Sequence, residues 1–294
     1  MPGRARILIF DSGLGGLTVA RALRTLAQER GQPIALFYAA DPAGFPYGDW
    51  PEERLRQRIL DLMARLIEDV QPDVVVIACH TATVTALEHL RARFDVTFVG
   101  TVPAIKPAAN ATQSGIIGVL ATPSTIRREY TERLIHTFAY HCDVILHGAK
   151  NLAALAERHL AGESVPQDTL RAEIAPVFVS RPDGRRTDVV VLGCTHYPLL
   201  QAQIAALAPW PVQIVDPSAA IARRALEVAA VSTEADESQG AQEQPPAALI
   251  AASGAENDAA VMVQDACLTA MPDRLVKILT GEGFRPRVLS KAPV

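Results

Sequence analysis

The chain has 294 residues, of which 49% are hydrophobic and 20% are charged, and its formal net charge is −4. This length predicts one large domain or two ordinary ones, and either size can bury a substantial core. The charge excludes the basic footprint of a nucleic-acid-binding protein. The N-terminal apolar run is too short for a secretory signal and no later window approaches a membrane span, so we expect a cytoplasmic protein.

Short β-branched runs alternate with longer amphipathic stretches, a pattern typical of βα units around a parallel sheet. The predicted strands are Ile7–Phe10, Ile34–Tyr38, Val74–Ala78, Thr97–Val99, Ile116–Leu120, Asp143–Leu146, Val189–Leu192 and Gln213–Val215. Apolar residues at helical spacing predict helices over Thr18–Gln28, Glu52–Asp69, Thr85–Arg93, Ile126–Phe138, Leu152–Leu160, Asp168–Phe178, Leu199–Leu207 and Ala219–Ala229.

The order of these units indicates an internal duplication. ILIFDSG opens one set of units and IIGVLATPST opens another, and both VVVIACHTAT and VVVLGCTHYP follow in phase, with Cys79 and Cys194 at equivalent places. We therefore predict an α/β protein with two doubly wound parallel-sheet lobes, related by a pseudo-twofold axis, and an active site between them.

The predicted first lobe comprises residues 1–100 and 209–294, and the second lobe comprises residues 101–208. Residues 231–259 are rich in Glu, Ser, Gln, Ala and Pro, which predicts a mobile surface insertion. The closing stretch LTAMPDRLVKILTGEGF resumes strand and helix patterning, so we expect it to pack back onto the first lobe.

Polar residues follow several predicted strands at their carboxyl ends, where open α/β sheets bind ligands. These segments are Asp11–Ser12 with the glycines that follow, Cys79–Thr83, Thr122–Thr125 and Cys194–His196. Both cysteines precede a predicted helix start, whose unpaired N–H groups lower a thiol's pKa, so we expect two thiolates. The alternative is that each cysteine is a small buried filler.

Two other kinds of site fit the sequence less well. Neither Cys79 nor Cys194 has further Cys or His residues at ligand spacing that complete a zinc site, so we expect no metal. The glycine loop and Asp41 suggest a dinucleotide site, but Thr18 stands where G-x-G-x-x-G needs its third glycine. We expect the glycines to let the backbone approach a small anion.

FDSGLGGLTV, FPYGD, ACHTAT, VPAIKPAA, VLATPST and GCTHYPLL, in this order, resemble the glutamate racemases of the aspartate/glutamate racemase family. The resemblance covers almost the whole chain apart from residues 231–259. It implies a cofactor-independent enzyme that supplies D-glutamate for peptidoglycan synthesis. The chain is most similar to the Gram-negative subgroup, which implies UDP-N-acetylmuramoyl-L-alanine as an activator, and the family's common assembly implies a homodimer.

Racemisation without pyridoxal phosphate needs a base on one face of the α-carbon and an acid on the other. The resemblance implies that Cys79 deprotonates D-glutamate and Cys194 deprotonates L-glutamate. It implies Asp11 as the acidic neighbour of Cys79, and His196 and Glu157 as the neighbours of Cys194. As alternatives, Asp11 is a plain helix cap and Glu157 lies on a solvated helix face.

The substrate contacts that the resemblance implies are Asp11, Ser12, Tyr47, Gly48, Thr81, Thr195 and His196. Tyr47 is alternatively a loop aromatic without a substrate role. At one position the chain departs from the family, because His80 stands where the family has Asn. A neutral imidazole also donates and accepts hydrogen bonds, but with different reach and a titratable proton.

His80 therefore leaves three interpretations open: preserved substrate binding, pH-dependent binding, or altered specificity. The same-class alternative to a glutamate racemase is a racemase of another acidic amino acid such as aspartate. The alternative from another class is a racemase-fold binding protein whose turnover is weakened by His80.

Overall fold

The computed structural model describes residues 4–126, 129–238, 261–270 and 272–289. The strands are β1 Ala5–Asp11, β2 Ile34–Ala40, β3 Val74–Ile77, β4 Thr97–Gly100, β5 Ile116–Ala121, β6 Asp143–Gly148, β7 Val189–Gly193, β8 Gln213–Val215, β9 Val261–Leu268 and β10 Arg285–Val288. The helices are α1 Leu17–Arg30, α2 Glu52–Val70, α3 His80–Arg93, α4 Ile105–Ala111, α5 Pro123–Ile126, α6 Glu129–Phe138, α7 Leu152–Leu160, α8 Gln167–Ile174, α9 Gln201–Leu207, α10 Ser218–Ser238 and α11 Asp273–Gly281.

The strands form two parallel sheets. The first has the order β10-β9-β2-β1-β3-β4, and the second has the order β6-β5-β7-β8. The four strands β2-β1-β3-β4 of the first sheet thus have the same order as the four strands of the second. The predicted architecture of two doubly wound α/β lobes is confirmed, and the matching order is what a duplicated unit would produce.

Each sheet is covered by helices on both faces. In β1, Ile7 and Ile9 pack towards α1, α10 and α11, whereas Leu8 and Phe10 pack towards α2 and α3. This alternation follows from the two-residue period of a strand. The second sheet is covered by α7, α8 and α9 on one face and by α4 and α6 on the other. Burial on both faces explains the continuous apolar runs in the sequence.

The predicted lobe boundary at residue 209 is wrong by one strand. Strand β8 pairs with β7 in the second sheet, in a register that places Gln213 opposite Val189. The chain therefore returns to the first sheet only after Val215. The physical reason is that the edge of β7 offers a parallel partner position, and the short run Gln213–Val215 occupies it.

The start of the predicted mobile insertion is also wrong, because α10 continues to Ser238. Residues 231–238 include Glu and Ala, which are good helix formers, and the first glycine after Ser218 is Gly240. The remainder of the predicted insertion, residues 239–259, lies outside the described residues. The closing stretch joins the first sheet as predicted, since β9 pairs with β2 and β10 with β9.

The observed start of helix α3 differs from the sequence prediction because an N-cap residue sets it. Helix α3 begins at His80 rather than Thr85, because Cys79 takes the N-cap position directly after β3. The predicted helix Ile126–Phe138 overlaps the last residue of α5 and all of α6. Within the described residues, none of the helices combines the length and hydrophobicity that a membrane crossing requires.

Candidate active site between the two sheets

The carboxyl ends of the two sheets meet, and most of the predicted site residues line one small cavity between them. The lining residues are Ser12, Phe45, Pro46, Tyr47, Gly48, Cys79, His80, Thr81, Thr122, Ala153, Cys194 and His196. The cavity volume is about 20 Å³, which holds roughly one water molecule. An amino acid is larger, so the lobes must separate to admit one.

Cys79 connects β3 to α3 and is buried, with 6% of its surface exposed. Its Sγ accepts a hydrogen bond from the Ala82 N–H at 3.5 Å and lies 3.7 Å from the Ser12 hydroxyl. Burial raises the pKa of the Cys79 thiol to about 12, the Asp11 carboxylate adds to this, and the Ala82 bond offsets only part. Burial therefore opposes the thiolate form of Cys79 that the helix start was expected to favour.

Cys194 follows β7 and has a different neighbour. Its Sγ lies 3.9 Å from His196 Nδ1, and His196 Nε2 lies 3.1 Å from Glu157 Oε1. Burial by itself would lower the pKa of His196, but the contacts with Cys194, Glu157 and Asp11 outweigh it and raise that pKa well above its usual value. The raised pKa favours the imidazolium form of His196, whose charge faces the Cys194 sulfur.

Glu157, on α7, carries the counter-charge and is 6% exposed, which excludes a solvated helix face. Its Oε1 accepts hydrogen bonds from His196 and, at 2.8 Å, from the Leu14 N–H of the opposite lobe. Burial would raise the pKa of Glu157, but these two bonds and the charge of His196 hold it below its usual value. Glu157 therefore contacts His196, which in turn faces the Cys194 sulfur.

The glycine loop of residues 13–16 was expected to approach a small anion, but it packs against side chains of the second lobe. A Cβ at Gly13 would lie 2.2 Å from Glu157 Oε1, and a Cβ at Gly15 would lie 2.6 Å from His196 Nδ1. The loop does approach an anion, but the anion is the protein's own Glu157. These glycines let the second lobe close on the first.

Asp11 binds the glycine loop of its own lobe and also contacts the second lobe. Its Oδ2 accepts hydrogen bonds from the N–H groups of Gly13 and Gly16, each at 3.2 Å, at the start of α1. Its Oδ1 accepts a bond from the Thr195 hydroxyl of the second lobe at 3.1 Å. Asp11 is fully buried, so it orders the loop and places one carboxylate beside both lobes.

The hydroxyl of Tyr47 is bound within the first lobe, and the expected contact of Tyr47 with the substrate stays a prediction. Its hydroxyl donates to Asp41 Oδ2 at 2.8 Å, so the polar end of the side chain is already bound. Tyr47 and Gly48 still line the cavity, but the hydroxyl of Tyr47 is not free to bind a carboxylate. Asp41 in turn pairs with Arg58, which places it in a buried ion pair rather than at a ribose site.

Thr122 lines the cavity although the resemblance did not imply it as a contact. The Thr81 hydroxyl lies 3.1 Å from that of Thr122 and 3.4 Å from that of Ser124, so the cluster crosses the lobes. The sequence analysis had placed Thr122 in the polar segment Thr122–Thr125, which follows the predicted strand Ile116–Leu120. The prediction that Thr81 belongs to the site agrees with this placement.

His80 is the polar side chain in the cavity wall that lacks a partner. It is 1% exposed, and neither Nδ1 nor Nε2 makes a hydrogen bond. Burial lowers the pKa of His80 to about 3. The Val102 backbone acts in the opposite direction, but it does not form a hydrogen bond with either ring nitrogen. The imidazole is therefore neutral, and its donor and acceptor are both unused.

Metal chemistry gains no support from the described part of the chain, where no group of three or more His, Cys, Asp or Glu residues could hold an ion. What the geometry provides is two buried thiols at equivalent strand ends, facing one cavity. Beside them lie hydroxyls, a neutral imidazole and an imidazolium. This set can remove a proton from a small polar molecule on one side and return it on the other.

Comparison with known proteins agrees with this chemistry. Residues 7–225 match the family described as Asp/Glu/Hydantoin racemase. The chain therefore belongs to the Asp/Glu/hydantoin racemase family, a class of proteins whose members include isomerases of amino acids.

Within that family, the chain belongs with the glutamate racemases, and the resemblance inferred from its motifs is confirmed. It is 53% identical to the glutamate racemase of Agrobacterium fabrum over 235 residues, covering 80% of this chain and 84% of that one. The glutamate racemase of Brucella canis is 51% identical over 232 residues, covering 79% and 82%.

A solved structure supports the same placement. The Escherichia coli glutamate racemase, in complex with L-glutamate and the activator UDP-MurNAc-ala, superposes with a TM-score of 0.78. It is 36% identical and the match covers 97% of this chain and 98% of the other. The chain is accordingly an amino-acid racemase of the glutamate racemase type.

The close approach at Gly13 generates a prediction. We expect Gly13→Ala to lower kcat/KM for racemisation by about 100-fold, since the new methyl group displaces Glu157 and hence His196 by more than an ångström. Racemisation followed by circular dichroism measures the effect. The control is Gly281→Ala, where the added Cβ meets no atom within 4 Å and activity should be unchanged. Wild-type activity in Gly13→Ala would contradict the proposed closure.

Proposed function

We propose that this protein interconverts L- and D-glutamate without a cofactor, using Cys79 and Cys194 as the acid and base, and supplies D-glutamate for peptidoglycan synthesis. The observation that carries the proposal is the placement of the two buried thiols at equivalent strand ends around one cavity. The similarity to glutamate racemases favours glutamate over aspartate as the substrate.

The two thiols have unequal surroundings, which assigns their starting roles. Burial and the Asp11 carboxylate raise the pKa of the Cys79 thiol, whereas the Cys194 sulfur lies 3.9 Å from His196 Nδ1. We assign Cys79 as the starting acid and Cys194 as the starting base. In this state Cys194 removes the α-proton of L-glutamate and Cys79 returns a proton to the opposite face, which yields D-glutamate. The reverse reaction starts from the other distribution, in which Cys79 is the base and Cys194 is the acid.

The substrate's polar groups require partners in the same cavity. The hydroxyls of Ser12 and Thr81 line the cavity and provide donors for the carboxylates. Asp11 and Thr195 lie behind the cavity wall and bond each other; once the lobes open, they provide a carboxylate for the ammonium group and a further donor. Gly48 forms the adjoining wall, and His80 offers an unused donor and acceptor. The hydroxyl of Thr195 must leave Asp11 at least in part when the lobes open, since that bond crosses between them.

The proposal extends to regulation and setting. We propose that UDP-N-acetylmuramoyl-L-alanine activates this enzyme, because the compound is the activator in the Escherichia coli relative. A cytoplasmic location and a homodimer are the setting and assembly that the resemblance implies. Equilibrium sedimentation with and without the activator would test the assembly directly.

The cysteine roles are tested by substitution. We expect Cys79→Ser and Cys194→Ser each to lower racemisation at least 100-fold, since a positioned proton-transfer group contributes about 10² to 10⁴ in rate. The measurement is α-proton exchange of each enantiomer in D₂O, without added cofactor. Cys142→Ser is the matched control, because Cys142 is half-buried and does not line the cavity. Normal racemisation in both site variants would disprove the mechanism.

His80 is tested separately. We expect His80→Leu to raise KM for glutamate about 5- to 100-fold, as the loss of one or two hydrogen bonds to a charged ligand predicts, while His80→Asn stays within about tenfold of wild type. Wild type, His80→Leu and His80→Asn should show the same dependence of kcat/KM on pH between pH 5 and 9, because burial lowers the pKa of His80 to about 3. A large gain in turnover for His80→Asn would instead support the weakened, non-catalytic alternative.

A further inference from the structure

The ion pair between Asp41 and Arg58 is buried and has a two-point geometry. Arg58 Nε lies 2.6 Å from Asp41 Oδ2, and Arg58 Nη2 lies 2.7 Å from Oδ1. Asp41 is fully buried and Arg58 is 7% exposed. Removing two charges from water costs free energy, so an apolar pair could fill this space with equal or greater stability. The ion pair therefore contributes mainly by fixing the positions of the groups around Asp41.

Asp41 collects hydrogen bonds from segments that are distant in sequence. Thr269, which follows β9, donates its hydroxyl to Oδ1 at 2.6 Å, and the Gly44 N–H donates to the same oxygen at 3.2 Å. The hydroxyl of Tyr47 donates to Oδ2 at 2.8 Å. One carboxylate thus joins the end of β2, helix α2 through Arg58, the end of β9 and the loop of residues 44–48.

The loop of residues 44–48 is fixed from its outer side as well. Trp50 Nε1 donates to the Gly44 carbonyl at 2.8 Å, and the Arg58 guanidinium lies 5.4 Å from the centre of the Trp50 ring. A Cβ at Gly44 would lie 2.4 Å from Asp41 Oδ2, so the backbone rests directly on the carboxylate. The loop has little freedom to move relative to the first sheet.

The inner side of the same loop forms the wall of the cavity. Phe45, Pro46, Tyr47 and Gly48 line it together with both catalytic cysteines. The Phe45 ring also packs on the imidazole of His196, with 5.2 Å between ring centres. The loop therefore contacts the substrate cavity and the residue that faces Cys194, although the loop belongs to the first lobe and His196 to the second.

We propose that Asp41 and Arg58 are positioning residues for the racemisation: they fix the loop of residues 44–48 so that it seats glutamate between Cys79 and Cys194 and packs Phe45 against His196. The inference rests on the proposed function. Because Asp41, Arg58 and the loop all belong to the first lobe, the ion pair stays intact when the lobes separate. The contact between Phe45 and His196 is the part that opens and re-forms.

The test uses the isosteric variant Asp41→Asn at a temperature where circular dichroism shows it fully folded. We expect KM for glutamate to rise about tenfold and kcat/KM to fall about 100-fold, as a misplaced wall predicts. Partial unfolding lowers apparent kcat but leaves KM unchanged, so KM separates positioning from a purely structural role. A wild-type KM and kcat/KM in folded Asp41→Asn would overturn the inference.

A double-mutant cycle with Phe45→Ala tests the route of the effect. Phe45→Ala keeps the ion pair but removes the ring that packs on His196, so we expect it to lower kcat/KM about tenfold. Combined with Asp41→Asn, it should add little, because the loop has already lost its position. Fully additive losses would overturn the proposal. Glu282→Gln is the control, since it breaks the pairs with Arg21 and Arg24 far from the cavity and should affect stability alone.

Calorimetric binding of D-glutamate gives a readout that is independent of turnover. We expect the Kd of Asp41→Asn to exceed that of wild type about tenfold, and equal values would count against the inference. If wild-type protein neither binds nor racemises glutamate, the proposed function fails. If wild type is active and Asp41→Asn matches it in KM and Kd, only the positioning role fails.

Discussion

The buried pair between Glu157 and His196 is the interaction on which the arrangement of the site depends. It joins two elements of the second lobe, and its carboxylate also binds the Leu14 N–H of the first lobe at 2.8 Å. Gly13 and Gly15 are required because a side chain at either position would occupy the space of this pair. This pair places a charge beside Cys194 and, together with the bonds Thr195–Asp11 and Thr81–Thr122, holds the two lobes around the cavity.

Duplication gives the two thiols equivalent positions but unequal electrostatic surroundings. Each thiol follows the third strand of its lobe in chain order, which is β3 for Cys79 and β7 for Cys194. However, Cys79 has the Asp11 carboxylate nearby and Cys194 has the imidazolium of His196. In the proposed mechanism, this difference separates the starting acid, Cys79, from the starting base, Cys194. The duplicated fold then supports two opposite chemical roles, which the thiols exchange when the reaction runs in the other direction.

Much of the fold could be predicted from local pattern, because parallel strands buried on both faces are continuous apolar runs. The polar residues at the ends of those strands, such as Ser12, Cys79 and Thr81, were placed correctly for the same reason. The lobe boundary at β8 and the length of α10 were not predicted correctly, since both depend on which sheet edge or surface is free for packing. Tyr47 was assigned to the substrate, but its hydroxyl binds Asp41, a contact that the spacing of FPYGD does not reveal.

The sequence by itself determined the βα order, the duplication, the two cysteines at strand ends and the unusual His80. Those features are local, because strand period, turn chemistry and residue type are properties of short segments. Only the tertiary structure decided the protonation states of Cys79 and His80, the occupant of the glycine loop, and the partners of Asp41. Each of these depends on burial and on groups from other segments, such as the contacts of Glu157 with Leu14 and of Thr269 with Asp41. The reason is that the electrostatic field at an atom is set by distances in space rather than along the chain.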